Sequence, residues 1–157
     1  MRTVSIQTED FSIDHETKQL RAATPEVGGI ATFTGLVSDL NREQKIESLF
    51  LEHYPGMTEK QLEKIIDQAE QRWTLLGTRI IHRVGLLHPQ DQIVFVGVSS
   101  RHRKDCFEAC QFIMDYLKTH ATIWKKESSD AKAEWLDARE SDKLEEERWQ
   151  RTVKSKT

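Results

Sequence analysis

The sequence predicts an α+β (mixed α/β) fold in which helices pack on a largely antiparallel sheet. Three observations lead there. The order of patterns is strand, helix, strands interrupted by one helix, a second long helix, short strands and a last helix. Two segments, 57–73 and 103–119, carry apolar residues at three- and four-residue spacing and read as amphipathic helices. One run, Ile93-Val94-Phe95-Val96-Gly97-Val98, is apolar on both faces, as a central strand is.

Taken in order, Thr3 to Thr8 sets Val4 and Ile6 against polar neighbours, which predicts a first strand. Asp14 to Ala22 is a short helix that ends before Pro25. Val27 to Val37 is a strand containing Gly28, Gly29 and Gly35, and glycine inside a strand marks a bulge or a close backbone approach. Ser38 to Lys45 is a polar loop and Ile46 to Tyr54 the next strand. Pro55-Gly56 stops it. In the helix that follows, Met57, Leu62, Ile65, Ile66, Ala69 and Trp73 form the apolar face. Thr58 is its candidate cap, with Gln61 completing a capping box.

Thr78 to Val84 is a strand, Gly85 to Gln90 a turn, and the central strand comes next. In the second long helix Cys106, Phe107, Cys110, Ile113, Met114 and Leu117 make the stripe, and such a stripe is core. Ile123 to Lys126 is a short strand, with a second extended piece around Trp135. Ser141 to Gln150 is a charged helix. Residues 1–150 read as one domain, and 151–157 as a frayed tail.

The chain has 157 residues, 37% of them hydrophobic and 31% charged, enough to build a real core. The formal net charge of −3 argues against a nucleic-acid module, as does the lack of an aromatic stacking platform. No apolar run approaches the ~18 residues of a membrane span, and Met1 to Asp10 lacks a signal-peptide pattern. A cytoplasmic protein is expected. Cys106 and Cys110 lie four apart on one helix face and read as buried thiols in a reducing compartment. A two-Cys metal site is the sharper alternative, but no CxxC or histidine at ligand spacing supports it, so no metal is expected.

Two clusters carry possible chemistry. Ser99-Ser100-Arg101-His102-Arg103-Lys104 falls at the junction of the central strand and the long helix. Unpaired N–H groups at a helix start attract anions, whereas cations there oppose the helix dipole, so such a cluster calls for a reason. The plain alternative is a solvated turn capped by Ser99 or Ser100. The second cluster joins Lys118, at the end of that helix, to Trp124-Lys125-Lys126-Glu127. Lys125 and Lys126 alternate across a strand, so only one can face the helix. Were Lys118 and Lys125 to converge, each ammonium would lower the other's proton affinity and bring it toward acid–base work. Alone, a lysine at a helix C-terminus needs no function. His53, His82 and His88 read as isolated, structural or exposed. Together the clusters predict a basic pocket of His102, Arg103, Lys118 and Lys125 for an anionic substrate.

Several long stretches in register resemble the large, catalytic subunit of molybdopterin synthase. They are Ala31-Thr-Phe-Thr-Gly35, Leu51-Glu-His-Tyr-Pro-Gly-Met-Thr-Glu-Lys60, Ile81-His-Arg-Val-Gly85, Val94-Phe-Val-Gly-Val-Ser-Ser100, His102-Arg103, Phe112-Ile-Met-Asp-Tyr-Leu-Lys118 and Trp124-Lys-Lys-Glu127. Trp135 and Ala138-Arg-Glu-Ser-Asp142 extend the match, which covers roughly residues 3 to 150. The resemblance implies an α/β hammerhead with an added α+β subdomain. It implies a sulfurtransferase of molybdenum cofactor biosynthesis that converts cyclic pyranopterin monophosphate (precursor Z) to the dithiolene molybdopterin. Sulfur would arrive as the C-terminal thiocarboxylate of a small ubiquitin-like partner subunit, so no cofactor is implied in this chain. The large subunit would form the central homodimer of a heterotetramer.

Carried over position by position, Lys118 and Lys125 match the family's catalytic lysines. His102 and Arg103 match residues that hold the substrate, Lys126 and Glu127 line the same pocket, and Arg139 matches an arginine near the partner's tail and the substrate. Val37 and Ser38 fall in the family's substrate loop, where Ser38 departs: the family usually has arginine there, followed by Asn-His-Asn, and this chain has Ser38-Asp39-Leu40-Asn41. Losing a charge-assisted contact to an anion costs ~1.5–3 kcal/mol. Arg42 is the candidate replacement. Thr122 stands where the family commonly has proline, a change expected to affect loop stiffness more than chemistry. The alternative reading is a non-catalytic carrier-binding subunit that lost turnover through the Ser38 departure.

Overall fold

The computed structural model describes residues 1–41, 44–128, 134–136 and 144–150. Its strands and helices run β1 (Arg2–Gln7), α1 (Ile13–Arg21), β2 (Gly29–Leu36), β3 (Leu40–Asn41), β4 (Gln44–Lys45), β5 (Ser48–His53), α2 (Met57–Arg72), β6 (Gly77–Arg83), β7 (Gly85–Leu87), β8 (Gln92–Ser100), α3 (Arg103–His120), β9 (Ile123–Ser128) and β10 (Glu134–Leu136). A further helix, α4, occupies 144–150.

One sheet has the order β1-β6-β8-β2 and a second the order β10-β9-β5-β7, while β3 and β4 form a small hairpin. Every pair is antiparallel except β1 with β6, so the expected largely antiparallel α+β arrangement is present. The strand that is apolar on both faces, β8, lies between β6 and β2 and is buried along nearly its whole length. Its alternation divides the core. Val94, Val96 and Val98 join the main cluster beneath α2 and α3, while Phe95 turns the other way, onto Leu20 of α1 and Ile81. Leu49, Leu51 and Leu87 bring the second sheet into the same main cluster.

Some local expectations are corrected. Gly85–Leu87 is not part of a turn but an edge strand paired with β5, and residues 38–45 include the β3–β4 hairpin. Helix α2 begins one residue before the expected cap. Gly56, at φ 85°, is its N-cap, and the Gly56 N–H donates to the Glu59 carboxylate. Met57 is 54% exposed, because five residues before Leu62 is a rotation of about 140° away from the buried face. On α3, Phe107 is 64% exposed, and Ala109, Phe112 and Tyr116 are buried instead. This helix is covered on two sides, by the sheet and by α2 with Trp149 of α4, so a single stripe underestimates its buried surface.

Thr58 takes a different part. Its Oγ accepts from the Tyr54 N–H and donates to the Thr122 carbonyl. Gln61 Oε1 in turn accepts from both the N–H and the hydroxyl of Thr122. Thr122 therefore ties the start of β9 to α2 through two donors that proline lacks. Its effect goes beyond loop stiffness.

Candidate active site

Helix α3 leaves β8 through a two-residue turn and runs back over the sheet, so its two ends mark two poles of the molecule. The first pole is the turn itself. Ser99 and Ser100 are not caps, because β8 continues through them and both are buried. The Ser100 hydroxyl donates to the Thr74 carbonyl, and Ser99 Oγ has no hydrogen-bond partner among the described residues. His102 is the N-cap of α3, in extended conformation and with no side-chain cap bond. The first N–H groups of α3 therefore lack the side-chain acceptor that serine would have supplied, the condition under which a helix start attracts an anion.

Among the four residues 101–104, two are neutralised: Arg101 pairs with Glu26 at 2.8 Å and Lys104 faces Glu108 at 3.9 Å. His102 and Arg103 are exposed, and neither has a carboxylate partner among the described residues. Gly28 fixes the turn from beneath. Its N–H donates to the Ser100 carbonyl at 2.9 Å, and a Cβ there would lie 2.2 Å from the Arg101 carbonyl oxygen. The close approach expected of a strand glycine falls directly under the basic cluster.

The second pole holds the lysines. Lys118, in the last turn of α3, is exposed and has no ion pair with a described carboxylate. Lys125 is half-buried on β9, in register with Leu51 of β5 and Leu136 of β10. His82 of β6 is buried nearby, 5% exposed. Its Nδ1 lies 2.8 Å from the Arg83 carbonyl oxygen. Burial pushes this imidazole down to about 4, and the charges of Lys125, Lys118 and His53 push in the same direction against the Arg83 bond. The ring is therefore neutral at physiological pH, and both lysines lie within its electrostatic reach. His53 is itself 3.4 Å from Glu59, the acid that caps α2. Sequence reasoning set His53 and His82 aside as isolated. Strand alternation held the missing signal, since His82 stands two residues from Ile80 and so faces the main core.

Val37 and Ser38 lie at the end of β2, at the start of β8, and so at the lysine pole. Val37 is buried, and its N–H and carbonyl are bonded to Asp91 and Gln90, leaving it a supporting place behind the loop. The Ser38 hydroxyl accepts from the Leu40 N–H and donates to the Leu40 carbonyl. Arg42, Arg139 and the tail 151–157 lie outside the described residues, as do the side chains of Lys126 and Glu127.

One expectation is not met within a single chain. Arg103 and Lys118 are 15 residues apart on one helix, a separation of about 22 Å, so one copy does not gather His102, Arg103, Lys118 and Lys125 into one pocket. A groove of ≈ 450 Å³ lined by residues 70–75 at the end of α2 contains none of these four. Among the described residues no three His, Cys, Asp or Glu side chains are grouped to hold a metal ion, and no described helix is long and apolar enough to cross a membrane.

Fold and site define an α+β protein with cationic clusters at the two ends of one 18-residue helix. The family model described as MoaE protein matches residues 6–120. The chain belongs to this family. It is 50% identical over 149 residues to a molybdopterin synthase catalytic subunit from Ralstonia nicotianae, covering 95% of this chain and 85% of that relative. Among solved structures it resembles the molybdopterin biosynthesis MoaE protein of Burkholderia ambifaria, with a TM-score of 0.82 and 48% identity over 95% of this chain and 98% of that one. It also resembles a molybdopterin synthase from Staphylococcus aureus, with a TM-score of 0.77 and 32% identity over 83% of this chain and 94% of that one.

Proposed function

We propose that this chain is the catalytic subunit of a molybdopterin synthase, a sulfurtransferase of molybdenum cofactor biosynthesis working in the cytoplasm. The observation that carries the reading is the lysine pair, Lys118 and Lys125, whose charges both reach the buried His82, in a chain half identical to such a subunit. The substrate is cyclic pyranopterin monophosphate, and the sulfur comes from the C-terminal thiocarboxylate of a small ubiquitin-like partner.

His102 and Arg103, beside uncapped helix N–H groups, hold the phosphate, with Arg139, Lys126 and Glu127 completing the pocket. The thiocarboxylate sulfur attacks a side-chain carbon of the pterin and displaces an oxygen substituent. Water then cleaves the resulting thioester, which frees the carrier as a carboxylate and leaves the sulfur on the pterin. Lys118 and Lys125 move protons and stabilise the developing oxyanion or the acyl linkage to the carrier. A second sulfur follows, with the intermediate held or the carrier exchanged. No cofactor is drawn on, because the partner supplies the sulfur.

On this reading the dimer bridges the separation along α3. In a two-fold dimer, His102 and Arg103 of one copy meet Lys118 and Lys125 of the other, so each site is built from two chains. Ser38 leaves the substrate loop without the family's cation at that position, and this favours one competing reading, a carrier-binding subunit without turnover.

Turnover decides between them. With thiocarboxylated small subunit and the pterin substrate, the wild type should yield dithiolene product, Lys118→Ala should abolish it, and Ser38→Arg should increase it. Carrier docking without product in the wild type would establish the competing reading.

A further inference from the structure

Lys118 stands in the part of α3 least able to hold its own shape. The last carbonyls of a helix have no partner within it, and terminal turns open readily. Two side chains of α4 grip this stretch on either side of the lysine. Three residues before it, the Asp115 carboxylate accepts from the Trp149 Nε1–H. Two residues after it, His120 Nε2 lies 2.5 Å from Glu146 Oε1. An ionised carboxylate only accepts, so this nitrogen carries the hydrogen. The His120 ring is also stacked on Tyr116, with centroids 5.2 Å apart and planes 13° from parallel, so it is held along the helix as well as across to α4. Glu146 is the more buried partner, its side chain 13% exposed against 50% for His120, and its Oε1 accepts a second bond from Gln150. Lys118 stands about 160° around the helix axis from His120. The grip at His120 therefore falls on the far side of α3, and Lys118 stays exposed.

We propose that Glu146 is a positioning residue for Lys118, acting through His120 to fix the turn of α3 from which the lysine projects. This rests on the reading of Lys118 as a catalytic residue. The two contacts of α4 differ in what else they do. Trp149 is buried in the core, so its loss disturbs the fold. The Glu146–His120 contact is half exposed on one side, and such pairs contribute little to stability. Removing it therefore tests position apart from folding.

The test is steady-state product formation with the thiocarboxylated partner saturating and the pterin varied, beside the thermal midpoint of each variant. Glu146→Ala should keep its midpoint and lower kcat about tenfold, as small misplacements of catalytic groups do. Its KM should stay within about twofold. Glu146→Gln retains an oxygen for the His120 N–H and should recover most of the lost kcat. His120→Ala should reproduce the loss, and the double variant should be no slower than either single one, because the two side chains act as one contact. Wild-type kcat in Glu146→Ala would overturn the proposal. So would a loss undiminished in Glu146→Gln, a loss that follows the midpoints, or losses that add in the double variant. Lys118→Ala is run in parallel. If it is as active as wild type, or if wild type makes no product, the catalytic reading falls and this proposal with it. If Lys118→Ala is dead and Glu146→Ala is untouched, only the role of Glu146 falls.

Discussion

At the scale of single residues, burying an imidazole that stays neutral ties stability to pH in one direction. Unfolded, His82 binds its proton near 6.5; folded, it does so only at about 4. Between these values the unfolded chain holds more protons, so acid favours unfolding. Stability is complete above 6.5 and falls as pH drops toward 4, by about 3 kcal/mol in all from this group. Denaturant midpoints measured from pH 7 to 4 should fall steeply in the wild type, and His82→Asn should flatten that part of the curve. Gly28 carries a second prediction. A Cβ there meets the Arg101 carbonyl oxygen, which is backbone and cannot rotate away. Gly28→Ala should cost about 1–3 kcal/mol in urea unfolding and raise KM for the pterin, because the turn that shifts carries His102 and Arg103.

At the scale of elements, α4 is anchored by Trp149, with Glu146 adding a contact to His120 of α3. Trp149 is buried against Trp73 and Phe112, its Nε1–H donates to Asp115, and its carbonyl accepts from Arg72. Burial pushes the Asp115 carboxyl above its ordinary range, against the opposing pull of the Trp149 bond. Trp149→Phe keeps most of the packing but leaves that carboxyl short of a donor, and should lower stability by about 1–3 kcal/mol in thermal unfolding. The elements themselves were largely legible. Periodicity located α2 and α3, whose faces differ sharply in polarity, and apolar runs located β6 and β8, all to within a residue or two. Edge strand β7 was not, since Gly85-Leu86-Leu87 reads locally as a turn and is a strand only because β5 lies beside it. The cap of α2 was missed for a related reason. Thr58 has the composition of a cap, but its hydroxyl is committed to Thr122, 64 residues away.

At the scale of the whole molecule, the candidate site was legible as a set of residues but not as a place. Sequence names His102, Arg103, Lys118 and Lys125, while the length of α3 sets Arg103 and Lys118 about 22 Å apart along the helix. That geometry makes a prediction for mixed oligomers. Arg103→Ala and Lys118→Ala, each inactive alone, should recover about a quarter of wild-type turnover when unfolded and refolded together. Half of the dimers are then mixed, and each of those contains one intact site. No recovery would mean that each site is built within one chain. A protein proposed to handle activated sulfur must also keep its own sulfur out of the exchange, and the core does this. Burial pushes the Cys110 thiol up to about 12, and the Cys106 thiol is raised as well and donates to the Gly29 carbonyl. Neither is a thiolate at neutral pH, so neither is a nucleophile while the fold is closed. The pair thus forms a built-in clock for opening: a maleimide should react with Cys110 only as fast as the helix–sheet interface parts, and its labelling rate would time the breathing of the core.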